Sequence, residues 1–204
     1  MPEAPGKKRR YRRVTAGELL SQLEQDKEYV EMMRRKEEEW AADEARLKAD
    51  EEGLVLELRN AGFYVESVWD LVNTNASYPE AVPILIRHLQ EPHLLRTLDG
   101  ILRSLTVPEM KGKALSDLRT MLFQLVQLEW LTARLIVRSA TRQDMPSVVE
   151  MLRDVDFGRH RAELLPALRH MPREERADLL DELEKDPELA GKVRAYRKRI
   201  SRKT

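Results

Sequence analysis

A proline-opened apolar helix recurs along this 204-residue chain, and no other feature limits the fold as strongly. The stretch "YPEAVPILIRHLQEP" (78–92) starts at Pro79, places Val82, Leu85, Ile86 and Leu89 on one helical face, and stops at Pro92. "DMPSVVEMLRD" (144–154) repeats the plan, with Pro146 at its start and a Val-Val-x-x-Leu core. The 67 residues from Pro79 to Pro146 divide into two units of roughly 34, a period typical of stacked helix pairs. Between them, "HLLRTLDGILRSL" lines up Leu94, Leu95, Leu98, Ile101, Leu102 and Leu105. "EMKGKALSDLRTMLFQL" offers Leu115, Leu118, Leu122 and Leu125, and "EWLTARLIVRSA" offers Trp130, Leu131 and Leu135. "HRAELLPALRHM" and "REERADLLDELEKD" form a further pair. Such a pair cannot bury its apolar face alone, so neighbours must stack. The expected fold is all-α: a short right-handed α-solenoid of about four helix pairs with a long charged N-terminal helix.

Composition agrees. Glycine is scarce, with 8 residues, and the dominant Leu, Glu, Arg and Ala lose little rotamer freedom in helices. No β-branched alternating run bounded by hairpin turns is present. With no cysteine there is neither a disulfide nor a thiolate metal site or nucleophile. A reducing cytoplasm fits. The N-terminal basic run has no apolar stretch after it, unlike a secretory signal, and no window reaches the 18 or so apolar residues of a spanning helix.

Net charge is +0, but the charges are unevenly placed. "KKRRYRR" (7–13) has six basic residues in seven, and "KVRAYRKRISRK" (192–203) has seven and no acid. Residues 26–52 carry eleven acids against six bases. These shifts divide the chain into a basic leader over 1–14, expected to be disordered, and a charged helix over 15–53. A repeat domain over 54–187 follows, then a C-terminal helix and basic tail over 188–204. Thr15 and Glu18 form a capping-box signature at the start of the charged helix, which should persist to about residue 52. Met33, Trp40, Leu47 and Leu54 recur every seven residues along it, but the companion positions Glu37, Glu44 and Glu51 are acidic. A coiled-coil seam needs both positions apolar. One amphipathic stripe laid along the body is the better expectation.

"PEAVPILIRHLQEP", followed at once by a second apolar helix, resembles HEAT repeats, best over 65–106 and fairly over 107–187. The order of charged helix, "VWDLVNT" and "YPEAVPILIRHL" looks like short bacterial HEAT-repeat domain proteins. The pattern departs over 107–140, where "EMKGKALSDL" replaces the proline opening. The resemblance implies a non-enzymatic scaffold that binds a partner protein on its concave face. It also implies that the second helix of each pair lines that face. Setting core positions aside leaves Arg87, His88, Glu91, Lys113, Asp117, Thr120, Gln124, Glu150 and Arg153 as candidate partner contacts.

The alternative is a nucleic-acid-binding protein that uses its basic ends. Lys7, Lys8, Arg9, Arg10, Arg12, Arg13, Arg197, Lys198 and Arg199 would meet phosphates, and Tyr11 and Tyr196 would stack on bases. The competing role for these ends is to neutralise the acidic helix. A further alternative, a HEAT-like DNA glycosylase, would use Trp69 with Asp70, and Trp130. Both tryptophans sit among apolar neighbours, so core packing is the expectation for each. His88, His93, His160 and His170 show neither Glu-x-x-His nor His-x-x-x-His spacing and are expected to be solvated helix-end residues. No phosphate-binding glycine loop or nucleophile elbow occurs, and no catalytic residue, cofactor, metal or membrane contact is expected.

Overall fold

The computed structural model describes residues 15–113, 118 and 128–202. Among them every regular element is helical: α1 (Ala16–Gln25), α2 (Lys27–Asn60), α3 (Trp69–Asn73), α4 (Ala81–His88), α5 (Leu95–Ser104), α6 (Glu129–Ser139), α7 (Met145–Arg153), α8 (Arg173–Leu183) and α9 (Ala190–Ser201). Short 3₁₀ turns cover Pro108–Met110 and Arg142–Asp144, and a longer 3₁₀ stretch covers Val155–His170. No described helix is long and apolar enough to cross a membrane. The chain divides into two compact units, Met1–Arg46 and Leu47–Thr204, and α2 contributes to both.

The first unit is governed by local chemistry. Thr15 and Glu18 make the capping box that the sequence announces, with Thr15 Oγ1 accepting from the Glu18 amide at 3.3 Å. The expected single helix is interrupted at Asp26, which ends α1 and caps α2 by accepting from the amides of Glu28 (2.9 Å) and Tyr29 (3.2 Å). Farther along, Arg34 and Arg35 grip Glu31 from three and four residues away. Their hydrogen bonds hold the Glu31 carboxyl down at about 2.

In the second unit, α2 does not stop near 52. It passes through Gly53 to Asn60, and Gly62 ends it with φ 94°. Leu54 and Leu58 on its last turns join a core continuous with Leu71, Leu85, Ile101, Leu135, Leu152, Leu168, Leu180 and Val193. Packing runs mainly between near neighbours in sequence: α3 and α4 on α5, α5 on α6, then α6, α7 and α9 on the Val155–His170 stretch. Leu118 is buried in the same core.

The helices of this unit after α2 begin without a side-chain cap from their own N-cap residue, and at two of them α2 supplies the acceptor. The N-cap positions of α3 and α5 are Val68 and Leu94. Their amides are satisfied by adjacent carboxylates on α2. Glu51 Oε2 accepts from Val68 N at 3.1 Å, and Asp50 accepts from Leu94 N at 3.1 and 3.2 Å. Glu51 is therefore buried, with 2% exposure, and does not face solvent as its place in an acidic run suggests. Ser104 and Tyr78 add a second tie: Ser104 Oγ donates to Val68 O, and Tyr78 Oη donates to Ser104 O at 2.8 Å. Where α3 crosses α5 the gap closes completely. A Cβ on Gly100 would stand 2.5 Å from Val68 Cγ1 and 3.1 Å from the Trp69 indole.

The Val155–His170 stretch is kinked at Gly158 (φ 53°) and contains Pro166, which is why "HRAELLPALRHM" does not form an α-helix. Arg161, with 2% exposure, fastens it in place. Its guanidinium donates to the carbonyls of Gly158 and Leu152, and to Asp186 (2.6 Å) and Glu188 (3.2 Å).

Two substitutions test this arrangement. Glu51→Ala strands the buried Val68 amide and should cost about 1–3 kcal/mol in urea unfolding. Gly100→Ala should also destabilise, by about 1–3 kcal/mol, because the clash with α3 outweighs alanine's advantage of about 1 kcal/mol in helix propensity.

Candidate functional site

Three surfaces of the second unit hold the candidate residues. The first is an open groove of about 520 Å³. Its apolar floor comes from Met145, Pro146 and Val149 of α7 with Met171 and Pro172 before α8, and its rim includes Arg142, Glu150, Arg153 and Glu175. The structure thus brings Glu150 and Arg153 together on one wall. The Arg153 guanidinium reaches across to Glu182 with two bonds of 2.8 and 2.7 Å, which hold the Glu182 carboxyl below its usual range. His170 lines the same groove. Burial pushes its pKa down, the nearby Arg169 and Lys111 push the same way, and Asp144 opposes them.

The second surface gathers Arg87, His88 and Glu91 with His93. His88 was expected in solvent, yet it is only 3% exposed and cannot serve as a surface contact. It follows Ala81 by seven residues and Leu85 by three, and so lies on the buried face of α4. The His93 side chain is equally hidden, with 6% exposure. His88 Nδ1 lies 3.1 Å from His93 Nε2 and 3.0 Å from Glu91 Oε2, and the third edge, His93 Nε2 to Glu91 Oε2, is 4.0 Å. Behind the rings stand two carboxylates of α2: Asp50, 3.3 Å from His93 Nδ1, and Glu57, 3.6 Å from His88 Nε2. Glu57 also pairs with the exposed Arg87. Burial lowers the His88 pKa, against the raising effect of Glu91, while His93 and Arg87 lower it further. Among the described residues, His88, Glu91 and His93 form the one group able to offer three ligand atoms to a metal ion.

The third surface is an alternation of aromatic and cationic side chains. The Arg103 guanidinium lies between the rings of Trp69 (5.9 Å) and Trp130 (5.6 Å), and Arg134 covers Trp130 at 5.8 Å. Trp69 packs against the core as expected, but Trp130 is 37% exposed and is not a core residue. Its neighbour one turn on is Arg134, so it occupies the outer face of α6, while Leu131 and Leu135 take the inner one. Asp70 is engaged locally, accepting from the amides of Glu66 (2.7 Å) and Ser67 (3.1 Å).

Of the remaining candidates, Lys113 is exposed, while Asp117, Thr120 and Gln124 lie outside the described residues. So do Lys7, Lys8, Arg9, Arg10, Arg12, Arg13 and Tyr11. In the C-terminal cluster Arg197 pairs with Asp181 and Glu184, and Arg194 also pairs with Glu184. Lys198 is exposed, and Arg199 lies over the Tyr196 ring at 5.3 Å. Tyr196 is 6% exposed and packs in the core, so it is not placed to stack on a base. The arginine–tryptophan array yields a direct measurement. In a double-mutant cycle, Arg103→Ala and Trp130→Ala should show a coupling of about 0.5–1 kcal/mol in unfolding free energy.

Comparison of the chain with protein-family models, with curated proteins and with solved structures gives no match, so the function rests on the geometry of these three surfaces.

Proposed function

We propose that the chain is a non-enzymatic scaffold, a short right-handed solenoid of HEAT-like helix pairs that receives a segment of a partner protein in the groove between α7 and α8. The observation that carries this reading is the groove itself, about 520 Å³ in volume with an apolar floor and a rim bearing both signs of charge. A floor of Met145, Val149 and Met171 suits apolar anchors on a helical or extended peptide, and methionine adapts to varied shapes. Arg142 and Arg153 beside Glu150 and Glu175 suit a segment with charges of both signs flanking its anchors. The repeat reading draws support from helices that pack on near neighbours and from the proline-opened α7, whose exposed Glu150 and Arg153 form the groove wall.

A mixed rim is a poor cradle for a phosphate backbone, which calls for a basic stripe. The C-terminal basic cluster is partly engaged by Asp181 and Glu184, acids at the end of α8 and not of the acidic N-terminal helix, and this leaves fewer of its cations for a phosphate backbone. A reducing cytoplasm suits a cysteine-free scaffold of this kind.

A random-peptide display selection against the folded chain should enrich peptides with apolar anchors flanked by charges. Val149→Asp should weaken the selected peptide by about thirtyfold, the loss expected of an anchor worth about 2 kcal/mol. Glu150→Arg, at an exposed position on the groove wall, should alter the affinity for the selected peptide. Peptides that bind both variants as well as the parent chain would sink the proposal, as would a selection that enriches nothing.

A further inference from the structure

The structure assigns a zinc-binding site to His88, Glu91 and His93, at the turn between α4 and α5. His88 Nδ1, Glu91 Oε2 and His93 Nε2 form a triangle with edges of 3.0, 3.1 and 4.0 Å. Ligand atoms around tetrahedral zinc stand about 3.3–3.4 Å apart, given bonds of about 2.0–2.1 Å to nitrogen and oxygen. Two edges of the triangle fall about 0.3 Å short of that spacing and the third is about 0.6 Å long, so a small turn of the exposed Glu91 side chain brings the three atoms onto one face of such a tetrahedron and leaves the fourth position for water.

The orientation of the rings follows from what stands behind them. Asp50 is a carboxylate and can only accept, so His93 Nδ1 carries the proton toward it and Nε2 presents a lone pair inward. In the metal-free chain His88 Nδ1, 3.0 Å from the Glu91 carboxylate, is placed to donate to it, and Nε2 is buried without a hydrogen-bond partner; with a metal at Nδ1 the proton moves to Nε2, which faces the Glu57 carboxylate at 3.6 Å. In that metal-ready tautomer two inward lone pairs and the Glu91 carboxylate converge on one point. A dication resolves that convergence, and a carboxylate behind each ligating imidazole is the outer support that zinc-bound histidines use. Two imidazoles and a carboxylate, with no thiolate, suit zinc and disfavour magnesium or calcium, which take oxygen ligands. Glu91, 44% exposed, is the solvent side of the site and the route of entry, while both rings are enclosed. Bound there, zinc would clamp the end of α4 to the start of α5.

The test uses the full-length, untagged chain stripped of metal and titrated with Zn²⁺ by calorimetry, and with Co²⁺ by visible absorption. The expected result is one Zn²⁺ per chain at micromolar affinity or tighter, an intense tetrahedral Co²⁺ band, a rise in thermal midpoint with Zn²⁺, and none with Mg²⁺. Glu91→Gln, at a half-exposed position, should remove the band while the apo protein keeps its helix content. Asp50→Asn keeps an acceptor for the Leu94 amide and should weaken zinc binding roughly 10–100-fold. An absence of zinc binding at sub-millimolar concentration would overturn the assignment, as would binding that Glu91→Gln and His93→Gln leave unchanged.

Discussion

Two neighbouring carboxylates on α2 terminate two helices that have no caps of their own. Glu51 takes the amide of Val68 and Asp50 takes that of Leu94, so α3 and α5 both begin on hydrogen bonds supplied from more than fifteen residues away. The unsatisfied amides of a helix start carry partial positive charge, and an anion there is favoured both as acceptor and as counter-charge. Glu57 extends the pattern by meeting Arg87 and His88 at the last turn of α4. One helix thus fixes where three others begin or end. The core residues Leu54 and Leu58, on the same turns, then set how closely α2 seats.

The C-terminal half is organised by a cation instead. Arg161 binds two backbone carbonyls and two carboxylates from a position almost sealed from water. Carbonyls freed by the kink at Gly158 and by the end of α7 acquire a donor, and the turn around Asp186 is drawn against the same stretch. A fully enclosed guanidinium tolerates little misalignment of its partners, so this junction is specified more by geometry than by apolar contact. Lys192 with Glu163, and Arg197 with Asp181, repeat the theme at the surface. A net charge of +0 therefore conceals local pairing within this unit, and two basic ends offset by an acidic excess over 26–52.

What the sequence reveals here is what short-range chemistry decides. The Thr15 capping box, the apolar faces of α4 and α5, and the proline start of α7 are all encoded within a turn or two. The exposed outer face of Trp130 was equally legible, because Arg134 lies four residues on, but a leucine-rich neighbourhood hides it. Leu94 and Leu95 are exposed despite fitting the apolar spacing; they are the N-cap and the first residue of α5, ahead of its buried face. His88 sits on the periodic core face, a signal outweighed by its polarity. That His93 would meet Asp50 from 43 positions away leaves no local trace. Asp26 is similar: an aspartate within an acidic run looks like any solvated acid until it accepts from two amides in the first turn of α2.

The passage of α2 through Gly53 alters where an autonomous folding module begins. Composition places the break between the charged segment and the repeats at that glycine, and a fragment cut there would keep the ridge of Leu54 and Leu58. It would lose Asp50 and Glu51, and the amides that open α3 and α5 would go unanswered. The second compact unit accordingly starts at Leu47, before the change of character, and takes in residues that read as surface.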